Sequence, residues 1–359
     1  MTMAKRMKIG ILTFHEGINH GGFFQAFFLQ SYLESLGHDV RIINYKNGVH
    51  WRNEYKAFLV TKSPIRLLKN IRKIINFRKD QRALNLVPKR LTTNPNNISR
   101  ITSEFDVVVV GSDIVWDFEY SFTGLDSVYF GDGLRPKSKV ISYAPSMGRS
   151  KSPIPDSLSK YLKSFTNLSV RDDNTKKYIS AAVENEVTKV IDPTLLMPVS
   201  QLPLTSRFSS EVRRGHDYLL VYAFMLPKDW RLAIESFAAA KGLEVLVTGY
   251  PQKGLGRNMT HIGPFEWLDY FRNAKYVITS TFHGTIFAIL NEKKFLTIPN
   301  VAIENKVVSL LMDLDLMSRY CREGFSVETL TGEVEWADVN GNLVSLRSGS
   351  HKYLEDALK

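Results

Sequence analysis

The sequence of 359 residues has very little cysteine, with Cys321 as the single example. One thiol cannot form a disulfide within the chain, so the composition does not call for an oxidising compartment. No apolar run approaches the roughly 20 residues that a membrane-spanning helix needs. The apolar stretch at residues 9–14 is too short for the core of a signal peptide and is typical of a buried strand. We therefore expect a cytoplasmic protein.

The sequence also lacks the spacings that mark several common sites. No histidine or cysteine pair has the spacing of metal ligands, and the acidic residues do not cluster as a magnesium site requires. The G-x-G-x-x-G motif of dinucleotide-binding folds, the P-loop lysine and the G-x-S-x-G motif of serine hydrolases are absent. We therefore expect no metal and no bound cofactor.

Positive charge exceeds negative charge, and the net charge of +11 favours anionic partners. Much of the excess lies at residues 62–90, where the only acid is Asp80. No nucleic-acid-binding motif accompanies this segment, so we expect no nucleic acid partner. Its apolar residues recur with a helical period over residues 64–84. One hypothesis is that the basic helix at 62–79 contacts an anionic membrane or a lipid-pyrophosphate acceptor; the alternative is an ordinary helix with a solvated basic face.

Short apolar runs alternate with longer amphipathic ones, which predicts βα units over mainly parallel sheets. In the first half we expect strands at residues 8–14, 40–44, 107–110, 140–143, 168–170 and 189–191. After Asp192-Pro193 a stretch without periodicity, rich in proline and serine, suggests a linker. The alternation then restarts at Tyr218. The prediction is an α/β protein with Rossmann-like domains at 1–200 and 201–359 that face a cleft.

Two motifs in the first half follow predicted strands. Asn19, Gly21, Gly22 and Gln25 lie where a helix begins, and such a turn can bring the backbone and free amides close to an anion. The alternative is that the glycines serve only the geometry of the turn. The second motif contains Ser112 and Asp113, which follow the predicted strand at residues 107–110. Asp113 could hold a sugar hydroxyl there or accept its proton. The alternative is a helix cap.

Two further motifs contain cationic or titratable side chains. Arg171 ends a predicted strand, and its planar fork suits a carboxylate or phosphate, although an ion pair with Asp172 or Asp173 is an alternative. His283 follows another strand, and we expect the amides of Gly284 and Thr285 to begin a helix there. This would place an imidazole beside a helix N-terminus that can hold a phosphate. The alternative is a structural histidine.

Taken in order, these segments resemble the polysaccharide pyruvyl transferase family. The resemblance spans nearly the whole chain, and its ordered motifs are more specific than any one alone. The matching segments are 19–30, 111–116, 141–148, 169–171, 192–196 and 280–285, followed by a closing helix at 336–358.

The resemblance implies a fold arranged as in GT-B glycosyltransferases, with phosphoenolpyruvate as donor and no cofactor. The basic residues of the family's donor site would be Arg171, His283 and Lys306. His283 would be the general acid and Asp113 a base or a holder of the acceptor hydroxyl. In some members an arginine precedes the histidine by two places, and this chain has Thr281 there. The remaining substrate-binding candidates in the matching motifs are Asn19, Gly21, Gln25, Ser112, Gly284 and Thr285.

The resemblance further implies that pyruvate is transferred as a ketal to a sugar or a lipid-linked oligosaccharide of a surface polysaccharide. One alternative is a GT-B-type glycosyltransferase that uses a nucleotide sugar. Such enzymes usually carry a glutamate near the corresponding turn of the second domain, and here the next glutamate is Glu292. A second alternative is a sugar-binding protein without catalytic activity.

Overall fold

Alternating strands and helices build two halves. The computed structural model describes residues 6–202, 216–301 and 303–359. The elements of the first half are β1 Lys8–Leu12, α1 His20–Ser35, β2 Asp39–Tyr45, α2 Gly48–Leu59, α3 Pro64–Asp80, β3 Leu86–Thr92, α4 Ile98–Thr102, β4 Val107–Val110, β5 Lys139–Ser142, α5 Asp156–Leu162, β6 Phe165–Val170, α6 Asp173–Ser180 and β7 Val187–Lys189.

The second half repeats the alternation with fewer strands. Its elements are β8 Tyr218–Tyr222, α7 Lys228–Ala240, β9 Glu244–Val247, β10 Arg257–Asn258, α8 Pro264–Asn273, β11 Tyr276–Thr279, α9 Phe282–Leu290, β12 Lys294–Thr297, α10 Glu304–Asp313, α11 Val327–Thr331 and α12 Trp336–Leu358.

All described strand pairs are parallel, and each half forms one sheet. The strand orders are β3-β2-β1-β4-β5-β6-β7 and β10-β9-β8-β11-β12. In each sheet the order reverses once, between β1 and β4 and between β8 and β11. Ligands of such sheets bind beyond the carboxyl ends of the strands at this reversal. The loops that follow these four strands are therefore the expected walls of a site.

Helix α1 is buried on nearly all sides because its residues are apolar around the whole helix. Its phenylalanines lie against helices of the second half. The ring of Phe24 is centred 4.9 Å from that of Phe287 and 5.8 Å from that of Trp267. His20 stacks on Trp267 at 5.1 Å. The two halves thus share one continuous apolar core.

Two helices cross from one half to the other. The end of α12 returns to the first half, where Ser350 Oγ accepts a hydrogen bond from the Ile191 amide at 3.1 Å and Tyr353 donates to the Ser142 carbonyl at 2.8 Å. On the other side, Lys73 of α3 donates to the Gly249 carbonyl at 3.1 Å. Both helices are hydrogen-bonded to backbone groups, so they fix the width of the cleft between the halves.

The predicted α/β architecture is confirmed, with local corrections. The last strand of the first half is Val187–Lys189, two residues before its expected position, and β3 and α2 were not predicted. Residues 203–215, which include the expected linker residues Pro203, Ser206, Ser209 and Ser210, lie outside the described part. Within the described ranges, no helix is long and apolar enough to cross a membrane.

Candidate functional site

A cleft of about 940 Å³ lies between the halves at the expected edge of both sheets. Its walls come from the loops after β1, β4, β5, β8, β9 and β11 and from α2, α3 and α10. Its charged residues comprise more cations than acids, which favours an anionic ligand. The cations are Arg66, Lys69, Lys73, Arg149, Lys253 and Lys306, and the acids are Glu54, Asp113 and Asp117.

His283 lies in the cleft wall with 12% of its side chain exposed, and a buried carboxylate faces it. Asp192 Oδ2 is 3.7 Å from Nε2 of His283 and also pairs with the Arg171 guanidinium. Burial alone would raise the pKa of Asp192. The charges of Arg171 and His283 outweigh burial, so that this pKa lies far below its usual range and the carboxylate stays ionised.

Arg171 lies behind the cleft surface. Its guanidinium pairs with Asp192, stacks on the Phe282 ring at 4.8 Å and lies 4.0 Å from Asp113. Its Nε and Nη2 are buried and have no hydrogen-bond partner among the described residues. The ion pair with Asp172 or Asp173 considered above does not form. Asp172 caps α6, and Asp173 pairs with Lys189.

The helix at His283 begins earlier than predicted. Thr281 is the N-cap of α9, and its hydroxyl accepts a hydrogen bond from the Gly284 amide at 3.0 Å. The Thr285 amide donates to the Thr281 carbonyl, and the Thr285 hydroxyl is buried against the Thr297 hydroxyl. Gly284 and Thr285 therefore serve the helix cap in this structure. The amides of Phe282 and His283 precede the first intrahelical bond and are the ones that an anion can reach.

The glycine turn after β1, which contains Gly21 and Gly22, requires glycine at position 21 for a steric reason. A Cβ atom at Gly21 would lie 2.0 Å from Nδ1 of His283, so only glycine allows the imidazole to lie against this turn. Asn19 caps α1 by accepting from the Gly21 amide at 3.0 Å, and it lines the cleft. The turn therefore places a residue of the first half against His283 of the second.

Asp113 lines the cleft but does not cap a helix, because no helix follows β4 directly. Its backbone is left-handed, with φ of 68°, a conformation that aspartate tolerates better than most residues. Oδ1 accepts from the Ile114 amide at 2.8 Å. The other carboxylate oxygen faces the glycine turn, 3.5 Å from where a Cβ atom of Gly22 would lie. The carboxylate is thus held at the cleft surface.

Lys306 of α10 lines the cleft from the second half and is almost fully buried. Its ammonium lies 5.8 Å from the centre of the Phe282 ring, which the Arg171 guanidinium also contacts. Burial first, and then the positive charge of Arg171, lower the pKa of Lys306 to about 8 against the raising effect of Asp113. Lys306 is therefore a cation whose charge changes near neutral pH.

Gln25 and Ser112 are fully buried behind the cleft and are bonded within the fold. The Gln25 amide donates to the carbonyls of Phe14 and Gly22 at 3.0 Å and 2.9 Å. The Ser112 carbonyl accepts from Thr13 at 3.0 Å. These bonds fix the loops after β1 and β4, so that both residues shape the site from behind.

Two site residues were missed in the sequence. Asp192 was noted as part of a motif but was not assigned to the site, although it follows β7 as Arg171 follows β6. Asp117 lines the cleft four residues after Asp113, and burial raises its pKa against the opposing hydrogen bond from Ser150. The spacing of the two aspartates along one loop was the available signal.

Comparison with solved structures defines the class of fold. A UDP-N-acetylglucosamine 2-epimerase from Rickettsia bellii superposes with a TM-score of 0.53 at 10% identity, over 98% of this chain and 96% of that one. A further UDP-N-acetylglucosamine 2-epimerase gives a TM-score of 0.51 at 9% identity, over 98% and 95%. The chain therefore has two Rossmann-like domains in the GT-B arrangement. No protein with a curated description matches its sequence.

The sequence profile of the polysaccharide pyruvyl transferase family matches residues 19–300. This range contains the glycine turn, Asp113, Arg171, Asp192 and His283. The chain belongs to the polysaccharide pyruvyl transferase family and is a transferase.

Proposed function

We propose that the protein transfers pyruvate from phosphoenolpyruvate to two hydroxyls of a sugar, forming a ketal and releasing phosphate. The observation that carries the proposal is the position of His283. It lies at the N-terminus of α9, in the wall of a cationic cleft, with the ionised Asp192 behind it. The family to which the chain belongs supports pyruvate as the transferred group.

In this proposal the donor lies at the start of α9. Its phosphate accepts from the amides of Phe282 and His283, where the helix dipole favours negative charge. The ammonium of Lys306, on the neighbouring α10, neutralises the phosphate or the carboxylate. Arg171 contributes positive charge from behind Phe282. These groups are fixed before the reaction and would stabilise the departing phosphate.

The first chemical step is protonation of the methylene carbon of phosphoenolpyruvate by His283, which leaves a cationic carbon bearing the phosphate oxygen. The carboxylate of Asp192 faces the Nε2 side of the imidazole at 3.7 Å. One sugar hydroxyl then adds to the cationic carbon. The C–O bond to phosphate breaks, and the second hydroxyl closes the ring.

Both sugar hydroxyls lose a proton in this sequence. One proton returns to His283, and the other leaves with the phosphate, so that the reaction is balanced without a cofactor. Asp113 and Asp117 line the cleft from the first half, which in this proposal receives the acceptor, and they are the bases available to the hydroxyls. A cleft of about 940 Å³ accommodates a sugar beside the small donor.

The test is incubation of the purified protein with phosphoenolpyruvate and candidate sugar acceptors, with phosphate measured and the product methyl group followed by NMR. We expect acceptor-dependent phosphate release together with a new ketal methyl signal. Nucleotide sugars serve as the comparison arm. Release of nucleoside diphosphate, with no response to phosphoenolpyruvate, would establish the glycosyltransferase alternative instead.

A further inference from the structure

The hairpin of α2 and α3 has several large apolar residues exposed on its outer side. The buried side of α3 consists of Lys73 and Phe77. Leu68, Ile71 and Ile75 recur at spacings of three and four residues and share the opposite side of the helix. Leu68 is 68% exposed and Ile75 is 60% exposed. An amphipathic helix on a protein surface normally has the reverse orientation.

Hydrogen bonds fix which side of α3 faces the rest of the protein. Lys73 donates to the Gly249 carbonyl, Asn76 donates to the His261 carbonyl at 2.8 Å, and Asp80 accepts from the Phe265 amide at 3.1 Å. These three residues recur at spacings of three and four along α3. They bind it to the second half through its polar side, which leaves the apolar side in solvent.

The exposed apolar face extends into the turn between the helices. Leu59 and Val60 end α2 and are exposed, as is Ile65 in the first turn of α3. The Asn70 amide donates to the Phe58 carbonyl at 2.7 Å and holds the two helices together at this turn. The apolar face is therefore one surface of a fixed hairpin.

Cations flank this surface, and one of them is paired with an acid from outside the segment. The exposed cations of the segment are Lys62, Arg66, Lys69, Arg72, Arg78 and Lys79, of which Arg78 pairs with Glu16. The sequence has no aspartate or glutamate at residues 60–79. Arg72 and Lys79 lie on the same side of the helix as Leu68 and Ile75. A surface of exposed leucine and isoleucine within a field of positive charge complements an anionic interface with an apolar layer below it.

We propose that the α2–α3 hairpin binds the surface of an anionic lipid bilayer, with Leu68, Ile71 and Ile75 entering the boundary between headgroups and acyl chains. The same hairpin forms a wall of the cleft through Ile65, Arg66 and Lys69. Bound in this way, the protein holds the cleft mouth beside the membrane surface. The inference goes beyond the proposed reaction, and its test requires no substrate.

The experiment is flotation of the full chain with two kinds of vesicle, one of phosphatidylcholine alone and one containing about a third phosphatidylglycerol. We expect binding to the anionic vesicles, weakening as salt is added, and little binding to the neutral ones. Equal binding to both kinds, or binding to neither, would overturn the proposal.

Two double variants separate the contributions of charge and apolar surface. Arg72→Gln with Lys79→Gln should weaken binding to anionic vesicles about thirtyfold, since the loss of each cation removes part of the electrostatic attraction to the anionic surface. Leu68→Ser with Ile75→Ser should weaken it about tenfold or more, through lost apolar insertion. All four side chains are exposed, so circular dichroism and the melting temperature should be unchanged.

Matched controls carry the same changes on other exposed helices. Leu232→Ser with Val344→Ser changes exposed apolar residues of α7 and α12, and Lys176→Gln with Lys177→Gln changes exposed cations of α6. Both controls should keep wild-type vesicle binding. An equal loss in the controls would contradict a localised surface. A different outcome is that the wild type does not bind vesicles and that Leu68→Ser with Ile75→Ser converts a dimer into a monomer. That result would show that the exposed apolar face binds a second copy of the chain.

Discussion

Asp192 lies between a permanent cation and a titratable one, because its Oδ2 pairs with Arg171 and lies 3.7 Å from Nε2 of His283. The other oxygen of Asp192 accepts from the Thr194 amide at 3.0 Å and from its hydroxyl at 2.6 Å. The carboxylate is thus held at both oxygens. In the proposed reaction it positions His283 and has no contact with the substrate itself.

His283→Gln should lower kcat by about 10²–10⁴-fold, the usual contribution of a general acid. Glutamine keeps a similar size and polarity, so the fold should be preserved, which circular dichroism can check. Near-normal turnover in this variant would assign the acid to another group.

Asp192→Asn should lower kcat by about tenfold or more with a smaller change in KM for phosphoenolpyruvate, because the imidazole loses its oriented anion. Asparagine retains a carbonyl oxygen for Thr194. In a double-mutant cycle, Asp192→Asn should cost little further kcat once His283 is glutamine. Full additivity of the two losses would mean that Asp192 does not act through His283.

Arg171→Lys tests the role of a guanidinium behind the cleft wall. Direct donor binding, which the family resemblance implies, would raise KM for phosphoenolpyruvate well beyond tenfold. Because Arg171 pairs with Asp192 and does not line the cleft, we expect kcat to fall about tenfold with a smaller rise in KM. Steady-state kinetics distinguish these two outcomes. A large rise in KM without a fall in kcat would indicate that Arg171 contacts the donor directly.

Lys306 should give the donor affinity a pH dependence. Its pKa of about 8 means that the free enzyme loses this positive charge as pH rises through about 8. The protonated amine binds the anionic donor, so kcat/KM for phosphoenolpyruvate should decline over this range. Lys306→Arg keeps its charge at every accessible pH and should remove this part of the decline. The same decline in the arginine variant would exclude Lys306 as its cause.

Gly21→Ala should lower kcat by about tenfold or more, because the added methyl would overlap the His283 ring. The matched control is Gly341→Ala in α12, where nothing lies near the new methyl group and helix propensity improves. That control should keep full activity. If Gly21→Ala is equally active, the imidazole does not need its described position.

Strand positions were predictable where apolar runs are unbroken, as in β4 and β11, since parallel strands are buried on both faces. The orientation of α3 was not predictable, because periodicity locates an apolar face without indicating which side packs inward. That choice depends on bonds from Lys73 and Asn76 to residues about 180 positions away. Asp192 was missed for a similar reason, since its partners come from two other strand ends.

The return of α12 to the first half has a consequence for how the protein unfolds. Its hydrogen bonds to Ser142 and Ile191 tie the halves together, and the largest apolar core, around α1, is built from residues of both halves. Unfolding of either half would expose the side chains of both Phe24 and Trp267. The two Rossmann-like domains should therefore melt in a single cooperative transition, and a donor bound at His283 should shift that whole transition upwards.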